Sequence, residues 1–182
     1  MIPLLLAAIT ALAAPAHARL LLTQKEALAL AFPDGAAVER ETAYLSADEA
    51  KAAEKAGRVK VDSRVWTYYV GISSRGPTGY AYFETHVVRS LTETFMAVLE
   101  PDGRVRLVEL LAFAEPEDYK PDPRWLKQFG AKSLRDDLLV GRAIRNQTGA
   151  SLTSQALTDG VRRVLAVHAV IAAQNSMLSR GP

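Results

Sequence analysis

The chain has no cysteine in 182 residues, which excludes disulfides, thiolate metal sites, a cysteine nucleophile and a lipid anchor on a modified Cys. Histidine is scarce: three in all, with no H-x-H or H-E-x-x-H spacing, so the common zinc-site patterns are missing. Charge of one sign is not in excess, since 22 Lys and Arg face 20 Asp and Glu for a net charge of +2, and no basic run occurs. That balance argues against nucleic acid as a partner. No G-x-S-x-G elbow is present, which disfavours a serine hydrolase. No repeat or low-complexity linker divides the chain. A composition 49% hydrophobic and 23% charged is that of an ordinary globular protein.

Only one long hydrophobic run exists, and it comes first. Ile2 to Ala14 carries no charge, and Ala16 and Ala18 then form the A-x-A pattern of a signal-peptidase site ahead of Arg19. The run is shorter than the ~20 residues that span a bilayer. Residues 1–18 are therefore expected to be a signal peptide. Residues 19–182 would then form a single exported domain, soluble after cleavage in the periplasm or another extracytoplasmic space.

Within that domain, Thr23-Gln24-Lys25-Glu26 and Ser46-Ala47-Asp48-Glu49 are capping-box patterns that open two helices, stopped by Pro33-Asp34-Gly35 and by Gly57. Arg64–Ile72 and Tyr80–Val88 are rich in β-branched and aromatic residues. The second strand puts Tyr80, Tyr82, Glu84 and His86 on one face. Phe95–Leu99, Pro101-Asp102-Gly103 and Val105–Leu111 read as a hairpin. A short helix is expected from Trp125 to Phe129. Leu157, Val161, Val164, Leu165, His168 and Ile171 recur at helical spacing and predict an amphipathic helix from about Ser154 to Asn175. The fold class is α+β: an antiparallel sheet of about four strands, with N-terminal helices and a long C-terminal amphipathic helix.

The chemistry is concentrated just before that last helix. Thr148-Gly149-Ala150-Ser151-Leu152-Thr153-Ser154 gathers hydroxyls and two small residues where unpaired helix amides point outward. Such a terminus attracts phosphate, and Gly149 and Ala150 allow close approach to the backbone. The bland alternative is an N-cap with spare hydroxyls.

This segment resembles the S/T-G-A-T/S-x-T/S signature of the FMN-binding domain family, which includes the C subunit of the sodium-pumping NADH:quinone reductase and the G subunit of Rnf complexes. Two other segments fit in order: Tyr80 to Arg89 resembles a strand of small exported members, and Phe113-Ala114-Glu115-Pro116 resembles a loop beside the flavin. The resemblance implies an electron carrier rather than a substrate-specific enzyme. It implies FMN linked by a phosphoester to Ser151, with Thr148, Gly149, Ala150, Thr153, Glu115 and His86 around the cofactor. A flavin transferase for loading and a membrane or periplasmic redox partner are implied as well. Glu115 would lower the flavin potential by its charge. The family mostly carries Thr where this chain has Ser151, and Asp where it has Arg145. The runner-up is a non-redox exported binding or adaptor domain without flavin. His86 otherwise reads as a hydrogen-bonded residue on a half-buried sheet face, His168 as core, and Arg162-Arg163 as a solvated pair able to meet an acidic partner.

Overall fold

A computed structural model describes residues 18–33 and 35–178, and for Leu178 only the backbone. The signal-peptide expectation falls almost wholly outside these residues. Among the described residues six strands form one antiparallel sheet: β1 (Arg19–Leu20), β2 (Ala37–Tyr44), β3 (Val65–Ser73), β4 (Gly76–Val87), β5 (Thr92–Leu99) and β6 (Val105–Phe113). Their order is β1-β6-β5-β4-β3-β2, so from β2 to β6 each strand lies beside the next in sequence. Helices α1 (Gln24–Ala31), α2 (Ala47–Gly57), α3 (Pro123–Leu126) and α4 (Ser151–Leu178) complete the α+β fold. No helix among the described residues is long and apolar enough to cross a membrane.

Both capping boxes are present, each closed by reciprocal hydrogen bonds between the Ser or Thr and the Glu three residues on. The expectation of about four strands is corrected to six. β2 was hidden because AVERETAY is charged and almost wholly exposed, so burial leaves no alternating signature; its backbone pairs with β3 from Ala37↔Ile72 to Tyr44↔Val65. β1 is two residues, defined only by distant pairing with Ala112 and Phe113. The two N-terminal helices consequently alternate with strands instead of preceding the sheet together. α4 also begins three residues earlier than the apolar spacing places it.

One sheet face carries the main core, where Tyr82, Phe95, Ala97, Leu99 and Leu110 pack with Leu157, Val161, Val164 and Leu165 of α4. The opposite face holds Ala81, Met96, Val98 and Leu111 under α1. α4 lies close to the sheet at Gly160: a Cβ there would come within 2.7 Å of Phe95 Cε1 and 2.9 Å of Glu84 Oε1. This close approach brings the first third of α4 over the ends of β4 and β5.

Candidate functional site

The turn that launches α4 is built from its own polar residues. The Ala150 amide donates to the Gln147 carbonyl (3.1 Å), and Gly149 sits at φ +83°, the left-handed position such a turn requires at its third residue. Gln147 holds this turn to the preceding chain: its Nε2 donates to the Lys120 carbonyl (3.1 Å) and its Oε1 accepts from the Asp122 amide (2.9 Å). Thr153 adds a second tie, donating its hydroxyl to the Tyr119 carbonyl at 2.8 Å. Ser154 Oγ accepts from the Gln147 amide at 3.3 Å.

These ties separate the hydroxyls. Thr153 and Ser154 are buried and committed to the backbone, whereas Thr148 and Ser151 are exposed. Ser151 Oγ accepts from Asn146 Nδ2 at 2.8 Å, which orients the oxygen without enclosing it. Hydrogen bonding into the helix begins with the Ser154 amide on the Ala150 carbonyl. The amides of Ser151, Leu152 and Thr153, in the first turn, are thus available to an anion.

The turn borders a pocket of about 210 Å³ lined by Val88, Arg89, Glu115, Tyr119 and Gly149 to Thr153. Of the sequence-expected residues, the structure therefore gathers Gly149, Ala150, Ser151, Thr153 and Glu115 around one space. Thr148 stands just before them and is not among the lining residues. His86 lines an adjoining trough of about 280 Å³ with Gln155, Asp159 and Arg163, and Val88 and Leu152 belong to both spaces.

Glu115 is buried, not a solvated loop residue. Its Oε1 accepts from three successive amides, Arg89 (3.0 Å), Ser90 (2.7 Å) and Leu91 (2.8 Å). The Ser90 and Leu91 bonds foremost hold its carboxyl below the usual carboxylate range. What Glu115 contributes to the pocket is therefore the position of the loop that presents Val88 and Arg89. None of Val88, Arg89 and Tyr119 was expected at the cofactor from the sequence; they reach the pocket by long-range strand and loop placement. Arg89 ends the Tyr80–Arg89 segment that resembled a family strand, but nothing in that resemblance assigned it a contact with the cofactor.

His86 is more elaborately held than a half-buried sheet residue needs to be. Its Nε2–H donates to Glu93 Oε1 at 2.6 Å, and its Nδ1 lies 3.5 Å from Glu84 Oε1, which also accepts from Arg163. Burial works against the imidazolium, but the hydrogen bonds and charges of Glu84 and Glu93 outweigh it and push His86 up to about 9. The solvated Arg162-Arg163 pair is corrected: Arg162 is buried and caps the end of α2 by donating to the carbonyls of Gly57 (2.8 Å) and Arg58, and Arg163 pairs with Glu84. His168 is core, as its spacing implied; its Nδ1 and the Tyr82 hydroxyl share a hydrogen bond at 2.9 Å, and burial pushes the imidazole down to about 4. No group of His, Asp and Glu among the described residues is arranged to hold a metal ion.

The chemical capacity of the site is thus an exposed, oriented hydroxyl in a helix's first turn, unpaired amides and a guanidinium for phosphate, and a partly apolar wall beside them. The chain matches no model of a known protein family and no characterised protein in sequence.

Proposed function

We propose that this protein is an exported electron carrier bearing FMN joined through its phosphate to Ser151 Oγ. The observation that carries the reading is the state of Ser151: of the three clustered hydroxyls Ser151, Thr153 and Ser154, it alone faces the pocket rim unburied, beside open helix amides. The residues present fit the group. The amides of Ser151, Leu152 and Thr153 and the Arg89 side chain bring positive potential to a phosphate at Ser151. Asn146 steadies the oxygen that bears it. Val88, Tyr119 and Leu152 supply apolar surface that keeps water from one side of a ring system, and the adjoining trough offers Gln155, Asp159 and Arg163 as polar contacts. Bound there, FMN supplies the redox chemistry, while the protein positions it and sets its surroundings. Covalent attachment suits an extracytoplasmic carrier, because a dissociated cofactor is lost by dilution. The partners of this reading are a flavin transferase and a membrane or periplasmic redox protein.

The test is co-expression with a flavin transferase, followed by denaturation and mass spectrometry. Flavin absorbance that survives denaturation, and an FMN adduct on the peptide containing Ser151 that disappears in Ser151→Ala, are the expected results. A chain that never acquires flavin, with a native transferase supplied, would leave the adaptor-domain alternative in its place.

A further inference from the structure

A cluster of buried charges adjoins the trough beside the Ser151 pocket through His86 and Arg163, which line it. His86 on β4 and Glu93 on β5 are direct cross-strand partners. Glu84 lies two residues before His86 on the same face, and α4 covers the group with Arg163. Glu93 is wholly buried, and its Oε2 has no hydrogen-bond partner; Glu84 Oε2 is buried without one as well, and His86 Nδ1 has only the 3.5 Å ion-pair contact with Glu84 Oε1. A purely structural ion pair is stable only when its remaining lone pairs and protons are satisfied, and apolar residues of similar volume often serve stability better. Here two carboxylate oxygens, Glu84 Oε2 and Glu93 Oε2, are idle in one small volume. An idle, buried carboxylate oxygen is a place where a proton can be held.

Position links this cluster to the pocket. Val88 and Leu152 line both spaces, and His86 and Arg163 face the second. Glu93 also feels the charge of Glu115, which lines the first.

We propose that Glu93, held by His86, takes up the proton that accompanies reduction at the Ser151 pocket, an inference that rests on the flavin reading. A reduced electron-transfer partner gives up one electron, and one negative charge is added beside the cluster. One proton from bulk water adds to Glu93 Oε2, leaving a neutral carboxylic acid; on re-oxidation both charges depart and the proton returns to water. The surrounding charges are set. Glu115 is tied to the Arg89–Leu91 amides, Asp159 accepts from Arg162 and Gln155, Glu84 pairs with Arg163, and Arg89 stands at the pocket rim. His86 already holds its proton at neutral pH, so it cannot be the acceptor. Burial raises Glu93 most, with Glu115 and Glu84 adding to it and His86 opposing, so its carboxyl lies above the usual carboxylate range.

The experiment is a spectroelectrochemical titration of the FMN-loaded full chain from pH 5.5 to 8.5, for the natural sequence and Glu93→Gln. The His86 imidazole is followed by NMR in both, with and without flavin. The natural chain is expected to show a window with a steeper fall of potential with pH than the variant. The difference approaches tenfold in the reduction equilibrium per pH unit, equivalent to about 59 mV for a one-electron couple. In Glu93→Gln, the His86 midpoint should drop from about 9. His86→Asn removes the cation that favours ionised Glu93, so it should shift the steep window to higher pH; it also serves if Glu93→Gln does not fold. Identical slopes in loaded natural and Glu93→Gln proteins, or an unmoved window in His86→Asn, overturn the coupling while leaving the flavin reading intact. A protein without flavin absorbance overturns both, and the His86 titration then reports the cluster alone.

Discussion

Removing the Glu115 carboxylate should loosen the pocket loop before it affects anything else. Three backbone amides converge on Glu115 Oε1 at 2.7–3.0 Å, and hydrogen bonds to a charged acceptor contribute about 1.5–3 kcal/mol each when fully formed. They share one oxygen, and Arg89 and Ser90 are exposed enough for water to replace part of the loss. Glu115→Ala is therefore expected to cost about 2–3 kcal/mol in total, well below the sum of three separate bonds. Glu115→Gln retains an acceptor oxygen and should cost about 1 kcal/mol. The pH dependence has a definite sign. Because the amides lower the folded-state pKa, the contribution is present above the unfolded value near 4.3 and is lost as pH falls through the lower folded value. Urea unfolding followed by the fluorescence of Trp66 and Trp125, both buried, measures this at pH 7 and between pH 3 and 5. In Glu115→Gln the loss of stability on acidification should be shallower than in the natural chain. Flavin loading should fall in Glu115→Ala, which frees Val88 and Arg89, and persist in Glu115→Gln. If the Ala variant loses less than about 0.5 kcal/mol, the three amides are held by something other than this carboxylate.

Ser151→Ala should abolish denaturation-resistant flavin and change stability by less than about 0.5 kcal/mol, as an exposed substitution; Thr153→Ala should keep some flavin while costing about 1 kcal/mol for the bond to the Tyr119 carbonyl, both read by peptide mapping and urea melts. His168 has a folded pKa near 4 against about 6.5 unfolded, so the unfolded chain binds more protons between these values and stability should fall as pH drops through that window. The full span is worth about 3 kcal/mol at 1.36 kcal/mol per unit. His168→Gln should flatten that limb of a stability–pH profile. Gly160→Ala should destabilise by about 1–3 kcal/mol, because its Cβ meets Phe95 and Glu84 inside ordinary contact distance; a neutral result by thermal denaturation would mean that α4 shifts freely on the sheet.

The parts of the structure that were legible are those written in local patterns. A capping box is complete within four residues, so Thr23 and Ser46 announce their helices directly. β3 to β6 bury alternating or continuous apolar residues, and α4 buries a stripe that recurs at helical spacing. β2 carries Glu39, Arg40 and Glu41 in succession and is held by β3's backbone, a cause its side chains do not display. The start of α4 depends on the turn at Gln147 to Ala150 and on ties from Thr153 to Tyr119, neither of which creates apolar periodicity. The site followed the same division. Ser151 and its neighbours form a contiguous motif, whereas Arg89 and Tyr119 arrive from distant segments. Glu93 went unmarked, and Arg163 read as part of a solvated pair, because a charge in a sequence reads as solvent-facing until a partner from another element is seen to cover it.

The strand order has a consequence for when Ser151 becomes available. From β2 to β6 every strand pairs with its sequence neighbour, so that part of the sheet can zip up by successive hairpins without waiting for the end of the chain. α4 is the last of the described elements, and it docks on α2 and β4, which are far earlier in sequence. The first turn of α4 is fixed only when Gln147 and Thr153 find the Tyr119–Asp122 segment, and the pocket closes only when Glu115 has gathered the Arg89–Leu91 loop. A chain halted before α4 therefore has a sheet but no oriented hydroxyl. An enzyme acting on Ser151 in its native setting would meet a domain whose sheet and α4 have already docked.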